Sequence, residues 1–251
     1  VANTLDLPPE GRGGGVQFET PYCGISQGYA INCTPAAKDF VDSTGWRNIT
    51  GNPFSVMTLA KCGSVGLTEQ RARDVLQLRL KATEQRAVES IFSRGLFGQA
   101  PGLSTSGATA LAGVAANVVL AFNLLEAFLA ANYGPTGVIH VPANMSAITK
   151  RHNLVEKQGA VWRTVMGTAV SFGNYLGYSP ADVAPAATTM WIYATGQVSI
   201  WSTPDAQVFT TPWGPTLDRS TNQWTGEASR EYVVTYECVA AAVETTIAGC
   251  C

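Results

Sequence analysis

From Leu67 to Gly95 the chain reads LTEQRARDVLQLRLKATEQRAVESIFSRG, with apolar or small residues every three or four positions: Ala72, Leu76, Leu80, Thr83, Ala87 and Ile91. That interval is the helical period, so the segment predicts one long amphipathic helix with charges over most of its other side. Thr68 suits the N-cap, Glu69 suits the positive end of the helix dipole, and Arg94–Gly95 closes the far end. Such a rod is about 40 Å long, well beyond the usual globular helix. The joint GLFGQAPGLSTSG follows, and its four glycines and one proline cannot continue the helix. A second helix is predicted from about Thr109 to Asn132, where Leu111, Ala115, Val118, Phe122, Leu125 and Leu129 form one wide apolar face.

After Tyr133 the pattern changes to short β-prone runs between Gly and Pro breaks: GVIHVP, GTAVSFG, TMWIYATG, QVSIW and AQVFTTP. EYVVTYECVAAAVETT reads as a single closing strand, with Tyr232, Val234, Tyr236 and Cys238 on one face and Val233, Thr235, Glu237 and Val239 on the other. The region up to about Cys62 is rich in Gly, Pro, Asn and Thr, with β-prone pieces GVQFE and PFSVMTL. It reads as an extended arm followed by a long two-stranded loop rather than packed core. Helices and strands without a regular βαβ alternation place the chain in the α+β class.

Composition changes this picture in one respect. Only 14% of the 251 residues are charged while 46% are hydrophobic, a balance suited to a surface covered by neighbours. The length allows one large domain or two small ones. A formal charge of −2, with basic residues in no run, argues against a protein that grips nucleic acid electrostatically. The most apolar window, Val118 to Ala131, is broken by Asn123 and Glu126 and is too short for a bilayer span, so no membrane partner is expected. The opening VANTLDLPPEGRGGG lacks the order of a signal peptide, which implies synthesis in a cytoplasm. The N-x-S/T triplets at Asn32, Asn48 and Asn144 therefore read as chance.

Candidate chemistry is sparse. Cys23 and Cys33 stand ten positions apart, Cys62 and Cys238 stand alone, and Cys250–Cys251 end the sequence. With no C-x-x-C pair and only His140 and His152 to supply imidazole, neither a metal nor another cofactor is expected. The cysteines read either as small buried hydrophobes or, for Cys23 and Cys33, as a disulfide that pins a loop. Phosphate-binding, dinucleotide-binding, zinc-protease and nucleophile-elbow motifs are all missing, so no catalytic residue is assigned and the chain is not expected to be an enzyme. His140 lies in an apolar strand and reads as a hydrogen-bonded core residue, while His152, in KRHN, reads as surface. Glu84, Glu89 and Glu126 occupy helix positions suited to solvation or salt bridges.

The order of the elements carries a resemblance. A long helix ends in E-x-x-x-x-x-G (Glu89 to Gly95), a joint contains Gly102–Leu103, and an amphipathic helix follows. Next come G-V-I-x-x-P (Gly137 to Pro142), a strand after Gly167, and R-E-x-x-V (Arg230, Glu231, Val234) running into small apolar residues. From Gly63 to Thr246 this succession resembles the major capsid protein of tailed phages, the Hong Kong 97-type fold that encapsulin shells share.

The resemblance implies a role for each region. Residues 1–15 would be an N-terminal arm and 16–62 an extended loop over a neighbouring subunit. Residues 63–103 would form a peripheral domain around the spine helix, completed by 208–251, with 104–207 as the axial domain. The implied function is a structural subunit of an icosahedral phage capsid, synthesised in the host cytoplasm and found in the virion. It would assemble with copies of itself into pentamers and/or hexamers around double-stranded DNA, without binding the DNA specifically. Decoration, portal or other capsid proteins would be its further partners. An encapsulin-like nanocompartment and a head–tail connector or tail protein are the alternatives; the start of the chain lacks the amphipathic helix usual in encapsulins. Some phage shells carry a Lys–Asn isopeptide cross-link, but Lys38, Lys61 and Asn222 do not closely match that site.

Overall fold

The computed structural model describes residues 3–6, 16–20, 47–63, 68–99, 101–105, 107–111, 116–133, 136–204, 207–209, 217–218 and 223–247. The long periodic segment is one helix of 26 residues, α1 (Glu69–Arg94). The Thr68 hydroxyl accepts from the Arg71 N–H at 3.2 Å, and Gly95, at φ 67°, ends the helix in the left-handed conformation. Ala72, Leu76, Leu80, Val88, Ile91 and Phe92 are buried along it. Thr83, expected on that face, is exposed instead, its hydroxyl donating to the Arg79 carbonyl one turn back.

The glycine-rich joint folds back onto the end of α1. The N–H groups of Leu103 and Ser104 donate to the carbonyls of Phe92 and Ser93, satisfying acceptors that the helix leaves open. This return brings two backbones together, and a Cβ on Gly102 would stand 2.4 Å from the Gly95 Cα. The second helix, α2 (Val118–Asn132), begins later than its apolar periodicity implied. Asn117 caps it, accepting from the Leu120 N–H at 2.8 Å, and Thr109–Ala110 pairs as a strand instead.

In chain order the early strands are β1 (Asn3–Asp6), β2 (Val16–Thr20), β3 (Arg47–Gly51), β4 (Phe54–Gly63), β5 (Thr109–Ala110) and β6 (Val138–Pro142). A short helix α3 (Ser146–Arg151) precedes β7 (Glu156–Gln158), β8 (Val161–Arg163), β9 (Ala169–Gly173), β10 (Thr189–Thr195) and β11 (Val198–Ser202). The chain then forms β12 (Gln207–Phe209), β13 (Leu217–Asp218), β14 (Gln223–Tyr236) and β15 (Ala240–Thr246).

Two main sheets result. The first runs β1-β11-β14-β12, with β4 and β13 also paired to β14; the second runs β5-β15-β10-β6-β9-β8-β7. β4 is antiparallel to β14 over ten residues, from Phe54 opposite Tyr232 to Gly63 opposite Gln223. Its Phe54, Val56 and Ala60 are buried and its Met57 and Leu59 exposed, so the last part of the region read as loop is a half-buried strand. β2 and β3 form a separate antiparallel ladder, Val16 opposite Gly51.

The predicted single closing strand is two strands in different sheets. β14 ends at Tyr236, Cys238 takes a left-handed φ of 53° and is disulfide-bonded, and β15 continues antiparallel to β10. Tyr232 to Tyr236 are all buried, so the apolar alternation there does not separate an inner from an outer face. β11, within the stretch expected to be axial, joins the first sheet, while β15, within the stretch expected to complete the peripheral domain, joins the second.

The two long helices each cover a sheet. α2 lays Ala121, Phe122, Leu125 and Leu129 against Ile139, Val141, Ile192 and Val243 of the second sheet. α1 lays Leu76 and Leu80 against β4 and β14, and its last turns share a core with Val138, Tyr193 and Ala242 of the second sheet. Leu80 is 1% exposed and Leu78, two positions earlier, 63%. Leu80→Ala is expected to cost about 3 kcal/mol, and Leu78→Ala less than about 0.5 kcal/mol, in urea unfolding. Equal costs would contradict this helix orientation.

Candidate functional site

The densest polar chemistry lies where the second half of α1 meets both sheets. Phe92 stands at the junction, edge-on to His140 of β6 and to Tyr236 of β14, with ring centroids 5.6 and 6.2 Å away. A cavity of about 390 Å³ opens beside it, lined by Val88, Phe92, Val138, Ile200 and Val234, with Glu84, Glu89, His140 and Arg230 among its polar walls.

The connection between β9 and β10 is bound along α1 as a strap. The Asn174 N–H donates to Glu89 Oε2 at 2.6 Å, the Leu176 N–H donates to Ser93 Oγ at 3.1 Å, and the Arg94 guanidinium lies 4.3 Å over the Tyr178 ring. Arg94 then grips Asp182 through two bonds, Nε to Oδ1 at 3.0 Å and Nη2 to Oδ2 at 2.9 Å, while the Ser104 hydroxyl also donates to Asp182. These bonds hold the Asp182 carboxyl below its ordinary range, the Arg94 hydrogen bond first. Gly173 admits the Glu89–Asn174 contact, because a Cβ there would stand 2.6 Å from the Glu89 carboxyl carbon.

The residues singled out from sequence take mechanical places. Glu84 pairs with Arg230 at 3.1 Å and accepts from the Tyr232 hydroxyl at 2.8 Å, tying α1 to β14. Burial, and then the Glu84 bond, push Tyr232 up to about 12. Glu89 ties α1 to the strap, and Glu126 accepts from the Thr164 hydroxyl. His152 is exposed. His140 is buried, with Nδ1 3.2 Å from the Tyr175 hydroxyl and Nε2 2.9 Å from Thr195 Oγ1. Burial takes its pKa from 6.5 to about 3, so the imidazole is neutral. Tyr175, raised by its own burial, also bonds Ser171 at 2.8 Å.

Sequence reasoning missed Asn174, Asp182 and the strap, which lie in irregular, Pro- and Ala-containing chain with no periodicity. Cys23, Cys33, Lys38 and Asn222 lie outside the described residues; Lys61 is in β4, opposite Thr225. Among the described residues no group of three or more His, Cys, Asp or Glu could hold a metal, and no helix is long and apolar enough to cross a membrane.

The outer surface carries its own candidates. Val165 and Met166, 88% and 75% exposed, form the tip between β8 and β9, and Met57 and Leu59 stand out from β4. Phe97 is 80% exposed and has a left-handed φ of 57°, which costs a side-chain-bearing residue about 1 kcal/mol. An aromatic side chain held out in this way points to a contact outside the chain.

No protein-family model and no curated protein matches the sequence. Solved structures do match it. The capsid of an empty GTA particle, computed with C5 symmetry, matches with a TM-score of 0.59 at 14% identity, covering 98% of this chain and 88% of that one. The SrpI encapsulin in its holo complex from Synechococcus elongatus PCC 7942 gives 0.58 at 11%, covering 99% and 87%. A structure from Microbacterium phage Oxtober96 gives 0.57 at 11%, covering 96% and 88%. At such identities the likeness is one of fold. The chain has the α+β, Hong Kong 97-type capsid fold that the order of its motifs resembles.

The buried imidazole makes stability pH-dependent. The unfolded chain takes up its proton near 6.5 and the folded one only near 3, so between these values the unfolded state binds more protons. Stability therefore falls as pH falls, by up to about 1.4 kcal/mol per pH unit from this residue. His140→Gln is expected to flatten the urea-midpoint profile between about pH 7 and about pH 5. Parallel profiles for the two proteins would mean that the ring is solvated.

Proposed function

We propose that this protein is the structural subunit of an icosahedral phage capsid. It assembles into pentamers and/or hexamers that enclose double-stranded DNA without reading its sequence, in a virion whose subunits are made in the host cytoplasm. The observation that carries this reading is a capsid fold spanning 98% of the chain in a match to the GTA capsid. The exposed apolar side chains Phe97, Val165 and Met166, on a chain with few charges, support it.

In this reading α1 and the β4–β14 sheet form the peripheral domain, and α2 with the seven-stranded sheet forms the axial domain. This departs from the sequence-based division by taking β4 and β11 into the former and β15 into the latter. The β2–β3 ladder is the base of an extended loop, and residues 1–15 are the arm. The polar groups at the junction bond one another and brace α1 against both sheets, which is the work of a building block rather than of an enzyme. The encapsulin neighbour favours one second reading, a nanocompartment shell of the same fold. The contents of purified particles, nucleic acid or protein cargo, separate the two.

Negative-stain imaging of the expressed protein is expected to show closed shells, and monomers alone at high concentration would overturn the proposal. Phe97→Gly relieves the left-handed position but frees the unfolded chain, so the stability of the free subunit should change by less than about 1 kcal/mol while the yield of shells falls. Unchanged shell yield would remove Phe97 from the contacts. Ala87→Pro, inside the spine helix, should cost about 3 kcal/mol or more and abolish particles.

A further inference from the structure

α1 carries six basic and four acidic residues in a chain that has 16 basic, 18 acidic and a formal charge of −2. The tertiary structure sharpens that bias. The Glu84 carboxylate is paired with Arg230 and bonded by Tyr232, Arg94 turns inward to Asp182, and the Glu89 carboxylate keeps its charge but is directed at the Asn174 N–H and Gln85. Arg71, Arg79, Lys81 and Arg86 remain on the outer side, all exposed and without an ion-pair partner among the described residues. Asp74, half-buried and bonded to Gln70, and Glu89 offset part of this positive charge.

Arg71, Arg79 and Arg86 follow one flank of the helix at intervals of eight and seven residues, and Lys81 stands on the other flank. The row spans about 22 Å, with about 10–12 Å between successive arginines. We propose that this face of α1 is a polyanion-facing surface, fitted to the phosphodiester backbone of nucleic acid enclosed by the shell. The proposal rests on the shell reading above. A spaced row of guanidinium groups has no convergence point for a single small anion, but it suits a polymer that repeats its charge. With at most four phosphate contacts the attraction is weak, independent of sequence and easily screened, which lets the polymer slide during filling and release. The net negative charge of the chain does not prevent this, because a contact about one Debye length deep senses the local face rather than the whole.

The test is a fluorescence anisotropy titration of a labelled duplex with the full chain, paired with negative-stain imaging of the same preparations. Wild-type affinity should fall about 100-fold between about 50 and about 200 mM salt, the slope for four released counterions. Arg71→Gln/Arg79→Gln/Lys81→Gln/Arg86→Gln should lose at least about 10-fold at the lower salt. Lys150→Gln/Lys157→Gln, which removes two exposed cations elsewhere, should bind as wild type. Equal binding by the quadruple variant and wild type, or wild-type binding that ignores salt, overturns the proposal. A quadruple variant that binds normally but no longer assembles marks the face as a contact between copies, and also overturns it. Wild type that binds through these residues yet forms no shells supports the surface and overturns the shell reading alone.

Discussion

The structure turns on a single rigid helix serving two sheets. α1 supplies one wall of the core over β4 and β14, and in its last turns it also meets Val138, Tyr193 and Ala242 of the second sheet. Phe92 is the residue at which the two halves touch the same side chain, with His140 on one side and Tyr236 on the other. A helix resists bending because each turn is tied to the next through its backbone, so anything fixed at both ends of α1 is fixed relative to everything else. The strap and the returned joint clamp one end, while the Glu84–Arg230 pair clamps the middle.

That arrangement gives the polar residues of the junction a structural part in joining helix, strap and sheet. Each charged group there already has a partner on a different element: Glu84 on β14, Glu89 on the strap, Asp182 on α1. His140 is neutral, held through both ring nitrogens by hydroxyls. What the cluster supplies is directionality, since each bond is satisfied only when helix, strap and sheet are in one relative position.

The surface follows a different economy from the core. Charges are few, and on α1 many are turned inward or paired, while Phe97, Val165 and Met166 are left standing out. Isolated exposed apolar residues are ordinary, but an exposed aromatic in a left-handed backbone conformation is not. Both patterns leave apolar surface on the outside that the chain itself does not cover.

The sequence by itself determined the elements whose information is local. The three-to-four residue period from Ala72 to Ile91, the Thr68 cap and the Gly95 stop specified α1, because a helix is a repeat of short-range contacts. The order of glycines and apolar runs also carried the fold, since Gly95 and Gly102 mark a close backbone approach that few other residues permit. The partnership of strands was decided only by the tertiary structure. β14 and β15 are nearly continuous in sequence and alike in composition, yet they belong to different sheets, because pairing depends on which remote strand lies alongside. Local pattern also misplaced the start of α2, where Thr109 and Ala110 found a partner in β15 before the helix could begin. The strap was illegible for the same reason: Asn174, Leu176 and Asp182 acquire a role only when α1 lies 83 to 88 residues away in sequence but within hydrogen-bond distance in space.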